Sequence, residues 1–313
     1  SHFASNDFAV RACSGLVLLA INMGLAHSTC IQDWSVDVPI EELEDYQDEN
    51  QLTACPPIHL NAETLQVRVS YDPLQDALLK AQILSKMQLS SNSLIEKLPS
   101  RTSGGQNNGV WVLRDFRTNT VLILKLVPSK SFFGIPSEAE RLRSLAAQHP
   151  SIVTDTSVAF PLKILKCLGP AGEHAFDFIV MRKVSGEPLT DIITKKDRAG
   201  AMPECMPILR ELGFFLAQFH KRYGNKQHGD FHTSNIYYDA SSGSFSLIDI
   251  GSLGNGFVKK RDTEYFLEAL SSTWAMKGCL TEGKRNFEEG YRLGHLSRAP
   301  ISQIFPSCQP SCK

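Results

Sequence analysis

The sequence predicts an α+β fold of two unequal lobes, a small β-rich one followed by a short, mainly helical one. Three observations carry this expectation. A β-hairpin pattern occupies residues 109–127, an amphipathic helical pattern occupies 206–222, and short strands around a turn return at 236–250. Strands with one helix, followed by helices with short hairpins, mark a segregated α+β chain rather than an alternating one. The chain has 313 residues, 42% of them hydrophobic, which is enough for one large domain or two lobes. Lys plus Arg number 32 and Asp plus Glu 33, for a net charge of −1. That excludes a general affinity for nucleic acid, which needs a strong positive field. A mean hydropathy of −0.15 excludes a polytopic membrane protein.

The elements follow in order. Arg11 precedes an apolar run over 15–26, and Ala26-His27-Ser28 places small residues where a signal peptidase reads. Residues 1–28 are therefore expected to be a secretory signal. The run is shorter than the roughly 20 residues of a membrane span, so no stable span is expected. Residues 33–51 carry eight acids and no Lys or Arg. Segment 29–60 reads as a solvated acidic linker or extension. Segment 61–92 reads as a strand–helix extension. Residues 65–71 alternate apolar and polar, and Pro73 opens a helical pattern to about Met87, with Leu74, Ala77, Leu78, Ala81 and Leu84 on one face.

Segment 93–184 carries the β-rich pattern and the connection out of it. Residues 109–116 and 121–127 are strands joined by a turn over 117–120. Ser137-Glu138-Ala139-Glu140 has capping-box spacing ahead of a helix that places Leu142 and Leu145 on one face. Residues 176–184 form another strand. In segment 185–300, the 206–222 helix aligns Leu209, Leu212, Leu216 and Phe219. Strands at 236–238 and 245–250 then flank a turn at 241–243. Residues 301–313 form a tail rich in Cys, Pro and Ser. The eight cysteines are Cys13, Cys30, Cys55, Cys167, Cys205, Cys279, Cys308 and Cys312. Loss of the signal leaves seven, enough for three disulfides in an oxidising compartment. Cys308 and Cys312 can pair with each other or with Cys279, and isolated core cysteines are the alternative.

The chemistry concentrates in His228-Gly229-Asp230-Phe231-His232-Thr233-Ser234-Asn235 and in Leu247-Ile248-Asp249-Ile250-Gly251. Asp230 is suited to accept a hydroxyl proton or to hold a nucleophile in line. Asn235 and Asp249 supply two hard oxygen ligands of the kind Mg²⁺ takes while bridging nucleotide phosphates. Phosphoryl transfer asks a protein mainly for positioning and charge neutralisation, and these are the parts it uses. Two other chemistries fit less of the sequence. His228 and His232 lack a third zinc ligand at a useful spacing. An Asp230/Asp249 glycosidase pair leaves Asn235 unexplained.

The pattern His-Gly-Asp-x-His-x-x-Asn, with Ile-Asp-x-Gly after a strand, resembles the catalytic and metal-binding loops of the aminoglycoside phosphotransferase and choline kinase-like branch of the protein-kinase-like fold. Leu212-Gly213-x-x-Leu216-Ala217-x-x-His220 is similar to the helix that precedes this loop. Met181-x-x-Val184-x-Gly186-x-Pro188-Leu189 is similar to the segment after the hinge between lobes. The resemblance covers residues 93–290. It implies a bilobal kinase-like fold with ATP between the lobes, Asp230 as the catalytic carboxylate, Asn235 and Asp249 holding Mg²⁺, and Met181 beside the nucleotide. It also implies a strand lysine paired with a helix glutamate. Lys125, in the otherwise apolar 122–127 strand, and Glu138 fill those places, with Glu140 the second candidate for the glutamate. No Gly-x-Gly-x-x-Gly loop is present. Ser103-Gly104-Gly105-Gln106-Asn107-Asn108-Gly109 stands in its place, and the backbone at Gly104 and Gly105 is expected to cap a phosphate. Asp262 is expected to open the next helix and brace the catalytic loop. The expected activity is transfer of the γ-phosphoryl group of ATP to a hydroxyl on a protein or a small molecule, in the secretory pathway or outside the cell. The missing glycine loop and the short segment after Asp249 leave open a secreted pseudokinase that binds nucleotide or acts as a scaffold.

Overall fold

Alternation of apolar and polar side chains, with period two along a strand, decides which face of a sheet each residue joins. In the computed structural model of the chain this rule organises a mixed six-stranded sheet. The structure describes residues 50–53, 55, 59–61, 66–68, 72–98, 109–129, 136–169, 172–253, 260–273, 279–297 and 304. The expected signal over 1–28, the acid-rich stretch up to residue 49, Gly104, Gly105, and the cysteines at 13, 30, 308 and 312 lie outside the described residues, as does all of the 301–313 tail except residue 304.

The strands are β1 (Gln51–Leu52), β2 (His59–Asn61), β3 (Gln66–Arg68), β4 (Leu94–Lys97), β5 (Val110–Asp115), β6 (Thr120–Pro128), β7 (Pro161–Leu168), β8 (His174–Arg182), β9 (Glu187–Pro188), β10 (Ile236–Asp239) and β11 (Ser244–Leu247). The helices are α1 (Ala77–Lys86), α2 (Glu138–Gln148), α3 (Leu189–Arg198), α4 (Cys205–Arg222), α5 (Asp262–Thr273) and α6 (Leu280–Leu296). The large sheet has the order β1-β7-β8-β6-β5-β4, parallel only between β1 and β7. A smaller sheet has the order β11-β10-β9, and β2 pairs with β3. This is an α+β architecture, as the sequence predicts.

Each face of the large sheet builds its own core. Leu122, Leu124 and Leu126 of β6, with Phe176, Phe178 and Val180 of β8, pack with Trp111, Leu79 and Ile83 on the face that α1 covers. The intervening residues Ile179 of β8 and Ile164 of β7 join a second cluster with Leu142 and Leu145 of α2, which continues to Leu209, Leu212, Leu216 and Phe219 of α4. Ser137 caps α2 as predicted: its hydroxyl accepts from the Glu140 amide at 3.2 Å, and Glu140 accepts from the Ser137 amide at 2.6 Å. The helices α4 and α6 approach so closely that a Cβ on Gly290 would lie 1.8 Å from the Arg210 carbonyl oxygen, and one on Gly213 would lie 2.0 Å from that of Phe287.

Four sequence expectations are corrected. Of the expected α1 face, Leu74 and Leu84 are buried but Ala77, Leu78 and Ala81 are exposed, Leu78 at 62%, and Leu79 and Ile83 take their place in the core. A separate 3-10 turn at Pro73–Gln75 precedes α1 and shifts the helical register away from a count begun at Pro73. The last strand ends at Leu247, because Asp249 turns into the left-handed region with φ 59° and starts a 3-10 turn, Ile250–Ser252. Gln51–Leu52, placed in the acidic linker, instead adds a parallel strand to the sheet edge. Cys55 and Cys167 are joined in a disulfide across 112 positions. Cys205 and Cys279 are free thiols, and burial pushes the Cys205 thiol up to about 11. Among the described residues, no helix is long and apolar enough to cross a membrane.

Candidate functional site

The site grows from three local structures. The first is the β6–α2 pair. Leu124 and Leu126 point into the α1-side core, so the pleat turns Lys125 to the opposite face, where α2 lies. The second is the β10–β11 hairpin. Its antiparallel register sets Ile236 opposite Leu247, and the Ile248 amide donates to the Asn235 carbonyl at 3.0 Å. Asn235 and Asp249, 14 positions apart in sequence, are thereby held at the same end of one hairpin. The third is the loop after α4 that carries His228 to Ser234.

Lys125 gathers the first two. Its ammonium lies 2.9 Å from Glu138 Oε1 and 2.7 Å from Asp249 Oδ1. The lysine side chain is 15% exposed. Burial alone would lower its pKa, but the Asp249 and Glu138 carboxylates outweigh that and raise it above the ordinary lysine range. Burial pushes the Asp249 carboxyl up, and Lys125 more than reverses this, so Asp249 is held below the usual carboxylate range. The sequence names Glu138 as the partner of Lys125, and the structure pairs them. Glu140, the second candidate, is occupied in the cap.

Asp230 belongs to the third. Asn235 Nδ2 donates to the Asp230 backbone oxygen and to its Oδ2, both at 3.0 Å. His232 Nε2 lies 3.5 Å from Asp230 Oδ2, and the Tyr265 hydroxyl also bonds this carboxylate. The Ser234 amide donates to His232 Nδ1, which leaves Nε2 as the protonated nitrogen facing Asp230. Burial would raise the Asp230 pKa, but the bonds from His232 and Tyr265 and the charges nearby lower it on balance. Asp230 and Asp249 feel each other's charge, which places both in one electrostatic environment. An open cavity of about 380 Å³ is lined by residues 232–234, Tyr265, Glu268, Ala269 and Ser272, and two of these, His232 and Tyr265, bond the Asp230 carboxylate.

A buried frame fixes the loop. Asp262, 1% exposed at the start of α5, accepts from the His228 amide at 2.6 Å and the Gly229 amide at 2.9 Å. Its Oδ2 also lies 2.8 Å from His220 Nε2, whose Nδ1 lies 2.9 Å from the Tyr291 hydroxyl. Gly229 has φ 86°, a conformation an L side chain would resist, and this lets both amides turn toward one carboxylate. His228 Nε2 donates to the Ile248 carbonyl at 3.0 Å, which ties the loop to the hairpin end. Burial holds the His228 pKa below the usual histidine value, with Asp262 opposing it in part.

The structure thus brings together Lys125, Glu138, Asp249, Asp230 and Asn235. Met181, on β8, is partly buried and packs against the larger apolar cluster, which includes Ile236 and Leu247. Sequence reasoning passed over Tyr265 and the His220–Tyr291 contact, since nothing in local spacing marks a side chain whose partner sits 71 positions away. Among the described residues, no group of three or more His, Cys, Asp or Glu is arranged to hold a metal alone. The Asn235 amide oxygen and the Asp249 carboxylate fit a hard cation that takes its remaining ligands from phosphate and water, as Mg²⁺ does. No protein-family model matches the chain, and no curated protein matches it.

Proposed function

We propose that the chain is an ATP- and Mg²⁺-dependent phosphotransferase, built in the two-lobed manner of the protein-kinase-like fold, that moves the γ-phosphoryl group to a hydroxyl acceptor. The observation that carries this reading is the placement of one half-buried ammonium, Lys125, between Glu138 and Asp249, with Asp230 and Asn235 beside the same hairpin end. A scaffold has no physical need for that set. In this reading Lys125 steadies the α- and β-phosphates, and Glu138 holds Lys125 in place. Met181 lies against the base. Asn235 and Asp249 would hold Mg²⁺, which would neutralise phosphate charge. Asp230, ionised because its pKa is lowered, accepts the acceptor's hydroxyl proton as the oxygen bonds to the γ-phosphorus and the bridge to the β-phosphate breaks. The cavity lined by His232 and Tyr265, the side chains that bond Asp230, is the place assigned to the acceptor, a protein side chain or a small alcohol.

The Cys55–Cys167 disulfide supports a companion proposal, that the protein folds in the secretory pathway or outside the cell, where disulfides persist.

The test is a thermal-shift titration with ATP, with and without Mg²⁺, on the wild type and on Asp249→Ala. A ligand at 100 times its Kd adds about 2.7 kcal/mol to native-state stability. The expected result is a Mg²⁺-dependent rise in Tm that Asp249→Ala abolishes, followed by label transfer from γ-labelled ATP to an acceptor. A folded wild type that shifts with neither ligand overturns the reading and leaves a binding module.

A further inference from the structure

Arg141 lies one helical turn after Glu138 on α2, and its side chain leaves the helix to reach the segment after Asp249. Its Nε donates to the Gly251 carbonyl at 2.6 Å, and its Nη1 donates to the Pro136 carbonyl at 2.8 Å. One guanidinium therefore clasps the entrance of α2 and the 3-10 turn Ile250–Ser252 together. A second, independent observation is the packing at Gly251. A Cβ there would come within 2.7 Å of Glu138 Cγ and 3.2 Å of Glu138 Oε1, so α2 lies directly on this backbone.

This matters because of how Asp249 is held. A non-glycine residue at φ 59° and ψ 44° occupies a sparsely populated region, and such a conformation persists only when its surroundings over-determine it. On one side, the Lys125 ammonium grips the Asp249 carboxylate. On the other, the residues that follow would relax if their carbonyl partner were lost. Arg141 is the charged donor on that second side, and its planar fork suits two carbonyls at once.

We infer that Arg141 is a positioning residue, which fixes the turn after Asp249 against α2 and so aims the Asp249 carboxylate and the Glu138–Lys125 pair at one point. The inference rests on the phosphotransferase reading for its consequence in nucleotide binding, but not for the clasp itself. Arg141 touches neither phosphate nor acceptor in this account. Its effect passes through the backbone of residues 249–252.

The test uses Arg141→Met, which keeps the apolar stem and removes the donors, and Arg141→Lys, which restores one donor. Hydrogen exchange is read at the amides of 250–253, with those of β6 as the internal reference. The Mg²⁺ concentration for half-maximal ATP-induced thermal shift is read alongside. The expected result for Arg141→Met is exchange about tenfold faster at 250–253, the factor that one net hydrogen bond supplies. β6 stays unchanged, the Mg²⁺ requirement rises by a similar factor, and Arg141→Lys recovers part of both. Unchanged exchange in both variants overturns the clasp. Faster exchange with an unchanged Mg²⁺ requirement overturns the positioning role. A wild type that shows no Mg²⁺–ATP shift sinks the phosphotransferase reading, and the exchange arm still decides whether Arg141 fixes the turn. If Arg141→Met fails to fold, Arg141→Lys alone gives the comparison.

Discussion

Replacing Lys125 with Met leaves Glu138 and Asp249 facing each other with no cation between them. Removing one partner of a fully buried ion pair costs several kcal/mol. Asp249 is 36% exposed, so water screens part of that, and about 1–2 kcal/mol is expected. Urea denaturation of Lys125→Met measures the loss, and the same variant is expected to lose the Mg²⁺–ATP thermal shift. His228 sets a pH dependence. The folded state resists a proton that the unfolded chain takes up near the ordinary histidine pKa, so stability rises with pH through that window and falls as pH drops. Stability is expected to fall between about pH 7.5 and 5.5, and the fall to flatten in His228→Gln. Urea midpoints at the two pH values check it. Lys125 was legible in the sequence as a lone charge in an apolar strand, and Glu138 followed from the helix glutamate that the family resemblance asks for, once the capping-box spacing had assigned Glu140 to Ser137. Arg141 was not, because its acceptor is a backbone carbonyl 110 positions away.

Among the elements, those whose side chains alternate or repeat in the ordinary way were readable, and β5, β6, α2 and α4 lie where the patterns put them. The helix α6 escaped notice for a physical reason. It carries Gly283, Gly290 and Gly294, all buried, and each glycine lowers intrinsic helix propensity by about 1 kcal/mol relative to alanine. Packing against α4 overrides this, and it is what requires Gly290 and Gly294. Gly290→Val is therefore expected to push the two helices apart and to destabilise the protein by about 3 kcal/mol, since the new side chain meets the Arg210 backbone rather than a flexible tip. A chemical-denaturation midpoint tests this, and an unchanged midpoint would show that the helices can separate freely. Strand β7 was missed because Lys163 and Lys166 interrupt its apolar run, although Ile164, Leu165 and Cys167 are buried between them.

For the whole molecule, the α+β class followed from the order of patterns, whereas the two-faced core of the large sheet did not. It depends on α1 and β1, which the sequence shows only as an extension. The Cys55–Cys167 disulfide locks that extension to the sheet. Closing a loop of this length stabilises the fold by about 4–5 kcal/mol in the chain-entropy account. Thermal melts with and without reductant, repeated on the Cys55→Ser/Cys167→Ser double variant, are expected to show a matching loss, and reductant should leave the double variant's Tm unchanged. The same bond divides the site covalently. Lys125 and Glu138 lie inside the cross-linked loop, while Asp230, Asn235 and Asp249 lie beyond it. A protease that nicks the chain once between residues 138 and 167 therefore leaves both pieces joined: they migrate as one species on a non-reducing gel, and the two halves of the site part company only when thiol is added.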